Sequence, residues 1–101
     1  MLAKKDLVSD RQKKMAMYAK VLSHPVRIYI IDTLKKQTCC YSGDLTQELS
    51  IAKSTLSQHL KELKKSGLIQ GEISPPRIKY CLNKKTWEEA RLLLKSFLDS
   101  D

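Results

Sequence analysis

The chain has 101 residues, of which 19 are Lys or Arg and 11 are Asp or Glu, giving a net charge of +8. That length supports one modest core and leaves little room for a deep substrate cavity, so it favours a binding module over a monomeric enzyme. No apolar run approaches the roughly 18 residues of a membrane span, and the polar start MLAKKDLVSDRQKK offers no secretory signal.

The basic excess is uneven: residues 1–36 carry +6 and residues 53–79 carry +4, whereas residues 86–101 carry −2. Such segregation is expected of a chain that meets a polyanion with one face and a neutral or acidic partner with another. The three cysteines, Cys39, Cys40 and Cys81, are an odd number in a chain without a signal, and read as reduced thiols in the cytoplasm.

In chain order, Ser9 or Asp10 can cap a first helix that runs to Leu22, with a narrow apolar stripe of Met15, Tyr18, Val21 and Leu22. Pro25 suits the first turn of a second helix, where its missing N–H costs nothing, and Ile28, Ile30, Ile31 and Leu34 make this the centre of the core. His24 is placed to help cap that helix. Ser42 can cap a short third helix holding Leu45 and Leu49 at i, i+4 spacing. Only Ser50 to Lys53 remain to connect it to the next helix, which ends at Gly67, a residue that readily takes the left-handed conformation closing a helix. Two helices joined by so short a turn form a helix-turn-helix candidate.

Beyond Gly67 the period changes to two. Ile69, Gly71 and Ile73 alternate with polar residues, as do Ile78, Tyr80 and Leu82 after the Ser74-Pro75-Pro76-Arg77 break, which predicts a two-stranded hairpin. Cys81, out of phase, faces away from the core. Helical spacing returns at the end, with Trp87, Ala90, Leu93, Leu94, Phe97 and Leu98 on one side. The expected fold is mainly α with a small β-hairpin, a single winged helix-turn-helix domain over residues 1–101.

On the fourth helix, at about 100° per residue, Leu56, Leu60 and Leu63 lie within about 40° of one line. Ser54, Gln58, Lys61 and Lys65 occupy the opposite side, flanked by Ser57 and Glu62, while His59 sits near the apolar edge as a packed residue. An α-helix fits the major groove and its first turns reach deepest. Hydroxyls and an amide early in the helix suit base edges, and lysines further along suit phosphates. Arg77 and Lys79 bring positive charge to the hairpin, as a wing against the DNA backbone requires. The apolar side of the last helix exceeds what so small a domain can cover. Met15, Tyr18 and Leu22 of the first helix, with Trp87, Ala90, Leu94 and Phe97 of the last, are the candidate dimer interface, built from N- and C-terminal dimerisation helices.

The stretches LSHPVRIYIIDTL, DLTQEL, STLSQHLKELKKSGLI and IKYCLN, spanning roughly residues 16–83, resemble the ArsR family of bacterial winged-helix repressors. The resemblance implies a cytoplasmic homodimer that regulates transcription by binding a palindromic operator in double-stranded DNA and releasing it on a metal or stress signal. It places Lys53, Ser54, Thr55, Ser57 and Gln58 at the DNA-reading positions. The arsenic and cadmium sensors of that family carry Cys-x-Cys just before the Asp-Leu of the short helix, where this chain has Tyr41, Ser42 and Gly43. The zinc sensors use His on the last helix, which here has none. No metal and no cofactor is therefore expected at either site. Cys39 and Cys40 remain a possible sensor; structural thiols, a redox switch and a metal or metalloid site shared between subunits are all compatible with their adjacency. Catalysis finds no support: there is no Gly-rich phosphate loop, and neither histidine has a nucleophile at a recognisable spacing. The alternative to DNA binding is a winged-helix interaction module whose basic face binds an acidic protein, from which a steeply salt-dependent affinity for duplex DNA would distinguish it.

Overall fold

The computed structural model describes residues 7–36, 45–72 and 79–101. Among these residues, five helices and one strand pair occur in the order α1 (Asp10–Val21), α2 (Pro25–Lys35), α3 (Leu45–Leu49), α4 (Lys53–Lys65), β1 (Ile69–Glu72), β2 (Lys79–Leu82) and α5 (Lys84–Asp99). Ser42, Ile73 and Ile78 lie outside the described residues, as do Arg77, Cys39 and Cys40.

Local chemistry sets the helix starts. Ser9 and Gln12 form a reciprocal capping box at α1: Ser9 Oγ accepts from the Gln12 N–H at 3.1 Å, and Gln12 Oε1 accepts from the Ser9 N–H at 2.9 Å. At α2, Pro25 takes the first position and His24 Nδ1 accepts from the Val26 N–H at 3.1 Å, so His24 is the cap that the sequence predicts. Asn83 Oδ1 accepts from the Thr86 N–H to open α5.

The core joins every element. Tyr18 and Val21 from α1, Ile30, Ile31 and Leu34 from α2, and Leu45 from α3 meet Leu56, Leu60 and Leu63 from α4; Leu68, Ile69, Tyr80 and Ala90 complete it. Ile28, expected on the apolar face of α2, is instead 44% exposed. Adjacent Ile30 and Ile31 both turn inward with Leu34, and at 3.6 residues per turn that rotates Ile28 to the rim.

Two backbone positions direct the chain on either side of α4. Ser50 has φ +53°, left-handed in a residue other than glycine. The Ile51 N–H donates to the Thr46 carbonyl at 3.3 Å, which makes Ser50 the left-handed residue of a Schellman-type ending to α3. This ending turns the chain directly into α4. Gly71 (φ +130°) sits opposite Tyr80 in the antiparallel β1–β2 register, where an added Cβ would collide with the Lys79 carbonyl and the Tyr80 Cα. The hairpin is fastened to the helices at both ends: Asn83 N–H donates to the Leu68 carbonyl at 2.9 Å, and Lys64 Nζ to the Gly71 carbonyl at 2.6 Å.

From these positions, Ser50→Gly relieves a left-handed penalty and should raise the unfolding free energy by about 0.5–1 kcal/mol, a few degrees in the thermal midpoint. Gly71→Ala should lower it by about 1–3 kcal/mol. Equal midpoints for wild type and both variants by circular dichroism would rule out the strain assigned to these two residues.

Candidate nucleic-acid interface

The helix-turn-helix consists of α3, the Ser50–Ala52 turn and α4. Leu56, Leu60 and Leu63 bury one side of α4, which leaves Lys53, Ser54, Thr55, Gln58, Lys61, Lys64 and Lys65 exposed and Ser57 half-buried. Of the residues of α4 expected to read DNA, all but the half-buried Ser57 are thus exposed on its solvent side, with Lys79 exposed on the neighbouring strand.

The start of α4 carries a feature that sequence reading missed. Its N-cap is Ala52, which makes no side-chain hydrogen bond, whereas α1, α2 and α5 are each capped by a side chain. The first N–H groups of α4 stay free at the positive end of the helix dipole, beside Lys53 and with no acidic residue in the first turn. A free, positive helix start suits a phosphate. The signal was legible as an alanine where a capping residue is usual.

Charge is distributed to the same end. The ion pairs among the described residues lie on α1 and α5: Lys14 with Glu89 at 2.6 Å, Arg91 with Glu88 at 2.7 Å and Lys95 with Asp99 at 2.7 Å. None involves a lysine of α4. Arg91 beside Glu88, and Lys14 with Tyr18 beside Glu89, hold both carboxyls below the usual glutamate range. Tyr18, buried and donating to Glu89 Oε1 at 2.7 Å, has its hydroxyl pushed up to about 12. Glu89 is thereby held by α1, and Glu88 and Asp99 by cations of α5 itself, so these carboxylates are engaged away from the lysines of α4.

Behind the exposed face, α4 is held to α2 by a polar contact. Arg27 Nε donates to His59 Nδ1 at 3.0 Å and Arg27 Nη1 to the Val21 carbonyl at 3.2 Å, while the His24 and His59 rings lie 4.3 Å apart. His59 is the buried polar residue among those described. Both imidazoles accept hydrogen bonds at Nδ1, which assigns their protons to Nε2. Metal coordination through Nε2 would force both protons across and break both bonds, so the pair fits packing and capping, as the sequence suggests. Among the described residues, no cluster of three His, Cys, Asp or Glu could hold a metal ion.

Of the expected interface residues, Met15, Tyr18 and Ala90 are buried within the single chain, Leu22, Trp87 and Leu94 are half-buried, and Phe97 is 58% exposed. Lys35 Nζ lies 5.4 Å over the Trp87 ring. Cys81, expected as a reduced thiol, is disulfide-bonded and pairs across the hairpin with Gln70. No described helix is long and apolar enough to cross a membrane.

His59 contributes a pH dependence of stability just below neutrality. Burial first, then His24 and Arg27, lower its pKa from the ordinary value of 6.5. The unfolded chain then binds the proton more readily, so this contribution to stability is present above about pH 6.5 and is lost as pH falls through the folded-state pKa. Urea unfolding between about pH 7 and 5 should show stability decreasing with acid. His59→Gln, which keeps an acceptor toward Arg27 but cannot be protonated, should remove that part of the slope; parallel profiles for the two proteins would exclude His59 as the source.

Comparison with known proteins agrees with this geometry. A family model described as bacterial regulatory protein, arsR family, matches residues 24–70, which run from the cap of α2 into β1. The biofilm growth-associated repressor of Xylella fastidiosa, strain Temecula1, is 35% identical over 75 residues, covering 74% of this chain and 65% of the relative, and the same repressor of strain 9a5c matches equally. The chain thus spans about two thirds of the length of those repressors. The HTH-type transcriptional regulator YgaV of Escherichia coli, strain K12, is 31% identical over 70 residues, covering 69% of this chain and 71% of the relative. With its helix-turn-helix, its hairpin wing and these matches, the chain belongs to the ArsR family of bacterial regulatory proteins.

Proposed function

We propose that this chain is a DNA-binding transcriptional repressor that acts as a homodimer on a palindromic operator, with α4 in the major groove of each half-site. The observation that carries the reading is α4 itself, whose uncapped start and lysines free of ion pairs among the described residues face solvent together with Ser54, Thr55 and Gln58. Lys53 and the free N–H groups would meet phosphates, Ser54, Thr55, Ser57 and Gln58 the base edges, and Lys61 and Lys65 the flanking backbone. Lys79, with Arg77, gives the wing a supporting phosphate contact.

Support for the dimer comes from the apolar surface left at α1 and α5. Phe97 and Leu98 are 58% and 75% exposed, and beside them a groove of about 470 Å³ is walled by Leu7, Val8, Ala16 and Leu94. A second copy joined through this face by a two-fold axis would set two α4 helices about 34 Å apart, one turn of DNA. Sensing is read from the cysteines: Cys81 is disulfide-bonded, and Cys39 and Cys40 precede α3, which supports α4. Thiol chemistry at Cys39 and Cys40 would then tune operator affinity.

Gln58→Ala should cost about 1–3 kcal/mol on the cognate operator and relax base preference, while Lys61→Ala should weaken all sequences alike and flatten the salt dependence. Duplex affinity that is weak and insensitive to salt would favour the acidic-protein alternative. Phe97→Glu should convert a dimer to a monomer in sedimentation at micromolar concentration, and a wild-type monomer there would refute the assembly. Mild peroxide, compared with full reduction, should change operator affinity by about 1–3 kcal/mol in the wild type but not in a Cys39→Ser, Cys40→Ser variant. Identical binding curves would remove the cysteines from sensing.

A further inference from the structure

A second cavity, of about 540 Å³, opens on the other side of α4, between its C-terminal end, the C-terminal end of α1 and the start of α2. We propose that it is a binding site for an amphiphilic organic anion, an apolar body bearing one carboxylate, whose head meets Lys20, Arg27 and Lys65 and whose body lies on Met17 and Val21. The volume is that of a small-molecule site. Among the described residues, none of the three cations is in an ion pair, and Glu62 is the one carboxylate in the wall.

Arg27 is the preorganised member. Its Nε and Nη1 donate to His59 Nδ1 and the Val21 carbonyl, which fixes the guanidinium plane in a half-buried setting. Nη2 makes no hydrogen bond among the described residues and keeps its donors for a ligand carboxylate. Lys20 and Lys65 reach the same space from α1 and α4, so the head would be gripped from three elements. A bare phosphate fits less well, because the Met17–Val21 wall gives it no partner. An apolar body satisfies that wall, at about 25 cal/mol per Å² removed from water.

The site also touches the DNA-facing helix. Arg27 holds His59, the residue after Gln58, so a ligand drawing on the same guanidinium biases how α4 sits against α2. This last step rests on the repressor reading; the binding site does not.

The test is calorimetric titration of the protein without DNA, using phenylacetate, its neutral analogue phenylacetamide and inorganic phosphate. Phenylacetate should bind, and the other two should bind about tenfold more weakly or less. Lys20→Glu, a change at an exposed residue, should weaken phenylacetate about tenfold, with circular dichroism verifying that the fold is retained. Equal binding of phenylacetamide, equal binding of phosphate, or phenylacetate binding unaffected by Lys20→Glu would each overturn the site; the last would assign the probe to the α1–α5 groove. Where duplex DNA binds, saturating phenylacetate should shift its affinity about fivefold or more, through Arg27 or through Lys65, which the operator backbone would also use, and an unchanged affinity would overturn the coupling. Failure to bind any DNA would count against the repressor reading alone, since the titration is made without it.

Discussion

The contact between α2 and α4 is the constraint on which the rest depends. Leu56, Leu60 and Leu63 give α4 a single buried side, and Ile30, Ile31 and Leu34 are the surface it is pressed onto. Apolar packing of this kind is strong but tolerates sliding and rotation, because area is conserved when a helix turns slightly. The Arg27–His59 hydrogen bond is directional and is not conserved under such a turn. It fixes the rotation of α4 about its own axis, and with it the direction in which Ser54, Gln58 and Lys61 point. The hydrophobic residues hold the helix in place, and one guanidinium and one imidazole orient it.

The same economy governs charge. A chain with eleven carboxylates has enough of them to pair the lysines of α4, yet the described ion pairs are confined to α1 and α5. Glu89 is gripped by both Lys14 and Tyr18, which welds the last helix to the first. Lys53, Lys61 and Lys65 of α4 are left to solvent, and their repulsion is a destabilising load on the free protein. A polyanion relieves that load, so part of the cost of an unpaired basic face is recovered only in a complex.

Periodicity made most of this architecture legible in the sequence. The capping role of His24, the left-handed Gly67, the burial of His59 and the solvent side of α4 are all set by spacing and residue chemistry, because each depends on neighbours within a turn or two. What escaped depends on partners distant in the chain. Ile28 reads as core until two adjacent isoleucines compete for the same side of α2. Arg27 and His59 are 32 residues apart and neither announces the other. Ser50 is left-handed because α3 and α4 must meet at a fixed angle, a demand that no local propensity of serine expresses. The bonded state of Cys81 is likewise a long-range fact that a count of cysteines does not contain.

The tether from Lys64 Nζ to the Gly71 carbonyl has a mechanical consequence. Because the Leu68 carbonyl is also held by the Asn83 N–H, the hairpin cannot swing independently of the helix that precedes it. Helix and wing form one lever whose pivot lies in the α2–α4 packing. A strand of four residues extends about 13 Å, so a few degrees of rotation at the pivot becomes a displacement on the order of an ångström at the far end. Wing and helix would therefore engage or leave a duplex in concert, and a small change beneath α4 would be felt at two separated points of contact.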